Sequence, residues 1–269
     1  MQATDMRSLS REARHERRVQ VIRLRKAGNT YEEIAVLTGL SRTGVFNICK
    51  RHEALGAKGL TSGRLRVAVV STAKYFIPRL LGSFCKLHPQ IDISLEVLNR
   101  DHVITRLRSN LDDLYVMSRP PEDLLLEDQI LMPNPLVVIA SAGHKLAAKK
   151  RVNMAQLQGE RLLLREKGSG TRMATDAHLR QLGFVPTAVL ELGSNEAIKE
   201  SVEGQLGVSI LSRHALGAHH DGLAVLDVQG FPIQSHWHLV WPKGKQLSPI
   251  AEVFRGHLVG EAKGWLGVR

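Results

Sequence analysis

The sequence predicts an α/β body preceded by a small all-α head, and three observations carry that expectation. Residues 11–60 hold a helix-turn-helix spacing, strand-like apolar runs alternate with helical patterns from Arg64 onward, and positive charge gathers in the head. Alternation of strand and helix is the mark of layered α/β architecture, here with a parallel sheet expected. About 205 residues follow Arg64, generous for one sheet and suited to two subdomains with a crevice between them.

The head begins with a basic amphipathic pattern from Arg11 to Ala27, with Val21, Ile22 and Leu24 inward and Arg17, Arg18, Arg23 and Arg25 outward. Gly28-Asn29 ends it. Thr30-Tyr31-Glu32-Glu33 is a capping box, a hydroxyl followed three residues later by a carboxylate, and should open the next helix. Ala35 and Gly39 allow close helix crossing and a tight turn, and Ser41 can cap a third helix running to about Leu55. Tyr31, Ile34 and Ala35 should form one buried edge and Val45, Ile48 and Cys49 another. That leaves Arg42, Thr43, Phe46, Asn47, Lys50 and Arg51 as the candidate DNA-reading face, since the start of such a helix and the turn after it reach base edges in the major groove.

Taken alone, those residues would be an ordinary solvated helix face. Charge tips the balance. The chain carries 37 Lys+Arg against 26 Asp+Glu, a formal net charge of +11. Residues 1–60 hold twelve Lys/Arg and six Asp/Glu, giving +6, so the other 209 residues carry only +5. Concentrated positive charge over a helix-turn-helix spacing is the footprint of a double-stranded DNA partner. Gly56 to Gly63 (GAKGLTSG) then reads as a linker, so the expected division is a head over 1–62 and a body over 63–269.

In the body, Leu65–Val70 is a buried strand, and Ser71-Thr72 should cap an amphipathic helix through Leu87, closed by His88-Pro89. Strand-like runs recur at Ile91–Leu98, Leu114–Met117, Leu136–Ala140, Leu162–Leu164, Val189–Leu192, Val208–Leu211 and His238–Trp241. Helical patterns fill 102–110, 172–183, 195–203 and 249–259. The expected subdomains are 64–139 with 242–269, and 140–241.

A hydroxyl-rich helix start at the carboxyl edge of a strand is where α/β proteins hold anions, because free backbone N–H groups and the helix dipole converge there. Ser71 and Thr72, with Lys74 in the same segment, are therefore candidate contacts for a small anion, although they could serve only as a cap. Asn99-Arg100 after the second strand and Ser118-Arg119 after the third share that rim. Arg165, Lys167, Thr171 and Arg172 surround the glycine-rich run 168–170, which is neither GxGxxG nor a P-loop. Asn195, in Gly193-Ser194-Asn195-Glu196, completes the set, though that segment could do no more than cap its helix.

Other chemistry finds little footing. The two cysteines, Cys49 and Cys85, form no CxxC or Cys/His set, so both read as reduced packing residues. Twelve histidines include the pairs His219-His220 and His236/His238, without Cys, Asp or Glu in ligand spacing. No metal or cofactor is expected. No GxSxG or Ser/His/Asp order occurs, and Asp112-Asp113 looks like a turn, so no catalytic residue is assigned. No window approaches the ~18 apolar residues of a membrane span, and the Arg-rich start is unlike a signal peptide. A cytoplasmic protein is the expectation.

Residues 64 to about 258 resemble the effector-binding domain of LysR-type transcriptional regulators. GRLRVAVVSTAKYFIPRLLGSFCKLHPQIDISL (63–95), PLVVIASAGHKLA (135–147), REKGSGTR (165–172), GSNEAIKESVEGQLGVSILSRHAL (193–216) and LSPIAEVF (247–254) follow in the family's order. GSGTR and GSNEAIK together resemble the subgroup that regulates Calvin-cycle operons. The resemblance implies two periplasmic-binding-protein-like α/β subdomains joined by crossover strands. It also implies an anionic metabolite in the cleft, a sugar phosphate or a nucleotide cofactor, and assembly as a homodimer or homotetramer. The head departs from that family, whose winged helix-turn-helix and long dimerising linker helix have no counterpart here. The block RVQVIRLRKAGNTYEEIAVLTGLSRTGVFNICKRHEALGAKGL is instead similar to the N-terminal helix-turn-helix of insertion-sequence transposases. A DNA-binding regulator that senses a metabolite is thus expected. A non-catalytic transposase–regulator fusion remnant and a cytoplasmic solute-binding protein stand as alternatives.

Overall fold

The computed structural model describes residues 11–50, 63–217 and 222–264, and the chain divides into two compact units, Met1–Gly63 and Arg64–Arg269. The head holds α1 (Arg11–Lys26), α2 (Tyr31–Thr38) and α3 (42–50). Asn29 closes α1 by donating Nδ2 to the Leu24 carbonyl at 3.0 Å. The capping box forms: Thr30 N–H donates to the Glu33 carboxylate at 2.7 Å, and Glu33 N–H donates to Thr30 Oγ1 at 3.3 Å. Gly39 ends α2 at φ 68°, a left-handed conformation that glycine adopts without a Cβ penalty. Ser41 then caps α3, accepting from Gly44 N–H at 3.0 Å. Val21, Ile34, Leu40, Val45 and Cys49 form the buried centre of this unit.

The body holds β1 (Gly63–Val70), α4 (Ile77–Leu87), β2 (Ile91–Leu98), α5 (Arg100–Arg108), β3 (Leu114–Met117), β4 (Leu126–Pro133), β5 (Leu136–Ser141), β6 (Arg161–Arg165), α6 (Gly170–Gln181), β7 (Ala188–Leu192), α7 (Asn195–Glu203), β8 (Val208–Ser212), β9 (Leu223–Leu226), β10 (His236–Pro242) and α8 (Pro249–Gly264). They make two five-stranded sheets, ordered β2-β1-β3-β10-β4 and β7-β6-β8-β5-β9. We call the layers built on them lobe I and lobe II.

Both sheets are covered on their faces, so their central strands are continuous apolar runs rather than alternating ones. In β5 the pleat sends Val137 and Ile139 to the core shared with Ile198 and Val202 of α7, while Leu136, Val138 and Ala140 join the core shared with Ala174 and Leu179 of α6. In lobe I, α4 and α8 pack through Phe84 and Phe254, whose ring centres lie 4.9 Å apart.

Three features depart from the sequence reading. The expected parallel sheets are mixed: β10 runs antiparallel to β3 and β4, and β5 runs antiparallel to β8 and β9. The expected helix 71–87 is broken at Phe76, with a 3-10 turn over Ser71–Tyr75 before α4. Pro78 explains the restart, because it lacks an N–H and is tolerated only in a first helical turn. Ser71 makes no side-chain cap there. Finally, β5 lies wholly in lobe II and β10 wholly in lobe I, so the lobe borders expected near 139 and 242 fall inside strands. The exchanges occur instead at 133–136 and 233–236. There the two crossing segments are laced together: Asn134 N–H donates to the Ser235 carbonyl at 2.8 Å, and Leu136 and Ile233 exchange N–H···O bonds of 3.0 and 2.9 Å.

Cys49 is buried, as read, but Cys85 is exposed on α4. His219-His220 lie outside the described residues. Among the described residues no group of three His, Cys, Asp or Glu could hold a metal ion, and no helix is long and apolar enough to cross a membrane.

Candidate functional site

A cleft opens between the lobes, lined by Val70, Ser71, Thr72, Arg100, Met117, Ser118 and Trp237 from lobe I and by Arg165, Glu166, Ser169, Gly170 and Thr171 from lobe II. Each side chain arrives from the end of an element. Ser71 and Thr72 follow β1, Ser118 follows β3, and Arg165 ends β6. Asn99 caps α5 by accepting from His102 N–H at 2.9 Å, which sets Arg100 at the first position of that helix. Ser169 caps α6, accepting from Arg172 N–H at 3.0 Å. The N–H groups of Gly170 and Thr171, the first two of α6, stand at the cleft with no carbonyl of their own helix to bond.

Two cations share this space in different states. Arg165, only 3% exposed, is bound on every side. Its Nε and Nη2 donate to the two Glu166 carboxylate oxygens, each at 2.7 Å, and its Nη1 donates to Asn195 Oδ1 at 2.6 Å. Its Nη1 also donates to Thr72 Oγ1 and its Nη2 to Ser71 Oγ, both at 3.3 Å and both across to lobe I. Arg100, by contrast, donates through Nη2 to the Arg119 carbonyl at 3.1 Å, while its buried Nε finds no acceptor among the described residues. Burial lowers its pKa; Asp101 and Asp123 oppose that shift and Arg119 adds to it. The buried Trp237 Nε1–H in the same lining also lacks an acceptor among the described residues. The cleft thus presents hydroxyls, free amides, an indole N–H and one guanidinium with no carboxylate held against it. That is the chemistry of a small oxyanion site.

Of the candidate residues, the structure gathers Ser71, Thr72, Arg100, Ser118, Arg165 and Thr171 in this lining. Six others sit elsewhere. Lys74 pairs with Glu196 at 3.0 Å. Asn99 is spent on its cap. Arg119 is exposed and offers only its carbonyl. Lys167 is exposed. Arg172 turns away from the cleft, bound to Asp176 and Glu191, each at 2.9 Å. Asn195 lies one layer behind, donating Nδ2 to Thr72 Oγ1 at 3.2 Å. Sequence reasoning misses Glu166 and Trp237. Glu166 stands beside Arg165 in REKGSGTR, a signal that is present; Trp237 enters from β10, a placement no local pattern reveals.

Lobe-to-lobe contacts flank the cleft. Glu196 of lobe II accepts from Tyr75 Oη at 2.6 Å and from Lys74 Nζ at 3.0 Å. Burial alone would raise the Glu196 pKa, but these bonds, its own N–H and Ser194 outweigh it and hold the carboxyl down to about 2. Burial and the Glu196 partner push the Tyr75 phenol upward. Near the crossover, His214 Nε2 lies 3.0 Å from the Pro133 carbonyl, and burial lowers its pKa. The neutral ring therefore donates from Nε2, packed beside Phe76 at 5.6 Å.

In the head, Arg42, Thr43, Phe46, Asn47 and Lys50 lie on α3, and Arg42, Thr43, Asn47 and Lys50 are open to solvent. Arg51 lies outside the described residues. Arg42 pairs with Glu32 of α2. Phe46, 42% exposed, rests edge-on against Tyr31 at 5.6 Å, with Lys50 Nζ 5.7 Å from its ring centre. Stacking on α2 explains how an exposed phenylalanine is held on a charged face.

Residues 58–263 match the model of the LysR substrate binding domain. The chain is 46% identical over 203 residues to the HTH-type transcriptional activator CmpR of Synechocystis sp., covering 75% of this chain and 67% of that protein. It is 42% identical over 209 residues to the RuBisCO operon transcriptional regulator of Acidithiobacillus ferrooxidans, covering 77% and 68%. Among solved structures, the regulatory domain of Synechocystis PCC6803 CcmR in complex with 2-PG matches at 45% identity with a TM-score of 0.72, covering 75% of this chain and 98% of that one.

Proposed function

This chain belongs to the LysR family through its substrate-binding domain, and from that premise we propose that it is a DNA-binding transcriptional regulator of carbon-fixation genes, switched by a small anionic metabolite. The single observation that carries the sensing half is Arg100, a half-buried guanidinium without a carboxylate partner, set among hydroxyls and the α6 N-terminus. A phosphate or carboxylate there would accept charge-assisted bonds that the protein itself leaves unmade. The ligand class is a phosphorylated short-chain acid or sugar phosphate, and the 2-PG bound by the CcmR domain makes 2-phosphoglycolate the first to test.

The mechanism is a shift between lobe arrangements about the laced crossovers. A ligand that contacts both lobes favours the closed form only by the extra contacts it gains there. The head, similar to transposase helix-turn-helix units, supplies the DNA contact in place of the family's usual reader. The protein acts in the cytoplasm as a dimer paired through its body, because one helix-turn-helix presents few base contacts and the sequence carries no pattern for a dimerising linker helix. It is a regulator and not an enzyme.

Isothermal titration of the full chain with 2-phosphoglycolate, and with a panel of sugar phosphates, tests this. Binding in the wild type that falls at least tenfold in Arg100→Gln supports the assignment. An unchanged affinity removes Arg100 from the site, and silence across the panel at millimolar concentration removes the anion cleft altogether.

A further inference from the structure

An arginine has five N–H donors and no acceptor, and Arg165 spends all of them: two on Glu166 and one each on Asn195, Thr72 and Ser71. It has nothing left to give a ligand. Its effect on its neighbours is directional. Because Arg165 can only donate, Asn195 must turn Oδ1 toward it, and so presents Nδ2 to Thr72 at 3.2 Å. Thr72 Oγ1 then accepts twice, from Arg165 Nη1 and from Asn195 Nδ2. Both its lone-pair directions are occupied, and only its proton remains. Thr72 is 6% exposed and lines the cleft. The Ser71 hydroxyl, accepting from Nη2, is biased the same way.

We infer that Arg165 is a positioning residue that sets hydrogen-bond polarity: through Asn195 it turns Thr72, which by itself could donate or accept, into an obligatory donor facing the cleft. This rests on the anion-sensor reading and deepens it. The cleft selects acceptor-only groups such as phosphate and carboxylate, and it does so without lending them the Arg165 charge, which Glu166 already holds.

Asn195→Asp tests the relay with little change of shape. A carboxylate keeps the bond to Arg165 but accepts at the second position, so Thr72 must spend its proton on Asp and not on the ligand. The added charge also repels an anion directly, and a double-mutant cycle with Thr72→Val separates the two effects. The probe is 2-phosphoglycolate, titrated into the full chain. Asn195→Asp should weaken binding at least tenfold when Thr72 is present and no more than about threefold in the Thr72→Val background. Arg165→Met should show the same dependence on Thr72, whereas Arg100→Gln should lose the same factor in both backgrounds. Equal losses for Asn195→Asp with and without Thr72, in a protein whose wild type binds, overturn the relay alone. A wild type that binds no anion overturns the sensor reading and the relay with it.

Discussion

Gly170 and Ser118 face each other across the cleft so closely that a Cβ on Gly170 would stand 2.6 Å from Ser118 Oγ. The first residue of α6 in lobe II has therefore been kept bare where a hydroxyl from the end of β3 in lobe I passes it. The obstacle is the tip of a small side chain and not backbone, so the approach constrains the Ser118 rotamer more than the fold.

Gly170→Ala should accordingly fold with a nearly unchanged melting temperature while turning Ser118 Oγ out of the lining. The expected result is a several-fold loss of affinity for 2-phosphoglycolate, read by titration. The Ser118→Ala chain should suffer much less from the same glycine substitution, since the opposing hydroxyl is gone. A large drop in melting temperature would mean that the α6 start tolerates no Cβ for other reasons.

Glu196 gives the lobe contact a pH dependence of definite sign. Its folded-state pKa of about 2 lies below the ordinary 4.5, so its contribution to stability is present above about 4.5 and is lost as pH falls toward 2. The melting temperatures of wild type and Glu196→Gln should differ most above that window and converge within it. A gap that instead widens on acidification would mean that the carboxylate is not held by Lys74 and Tyr75 in solution.

A second carboxylate is structural. Asp112, buried, takes two bonds from Arg106 at 2.8 and 2.7 Å. Its N–H donates to Tyr115 Oη at 2.9 Å, and that hydroxyl donates to the Arg106 carbonyl at 3.0 Å. The ring fixes the turn between α5 and β3 and so the approach to Ser118. Arg106 keeps 27% of its side chain exposed, so removing Asp112 breaks charge-assisted bonds without stranding a fully buried charge, at about 2 kcal/mol. Asp112→Ala should lose roughly that much in denaturant unfolding, and a loss below ~1 kcal/mol would mean that the pair is solvated.

These elements differ in how far the sequence discloses them. Buried strands such as β3 and β8 are apolar runs and can be found by inspection. Strand β4, LEDQILMP, escapes inspection because it pairs with β10 along one side only and the adjacent exposed acids Glu127 and Asp128 break its apolar pattern. Strand direction is equally hidden, because β5 and β10 enter their sheets from the crossovers, a long-range fact that alternation of helix and strand does not encode. Arg172 misleads for a related reason. Asp176, four residues on along one helix, is a partner the sequence displays, whereas Glu191 reaches it from β7 only through the fold. Arg165 stands out beside its glycines, but the five bonds that occupy it come from three separate segments.

The head yields the last prediction. Arg42 and Lys50 are exposed near opposite ends of α3, and Arg42 is paired with Glu32 in the free chain. If both cations meet phosphates, the double substitution Arg42→Ala/Lys50→Ala should weaken binding to DNA from upstream of the chain's own coding region. It should also reduce the slope of log affinity against log salt by about two, roughly one for each phosphate no longer neutralised. Glu32→Gln should act in the opposite direction, because Arg42 no longer has to leave a carboxylate before reaching the backbone. Mobility-shift titrations at several salt concentrations read both effects. A double mutant with wild-type affinity and slope would show that α3 is not the reading helix, and a Glu32→Gln chain that binds more weakly would show that its ion pair positions Arg42 for DNA and does not withhold it.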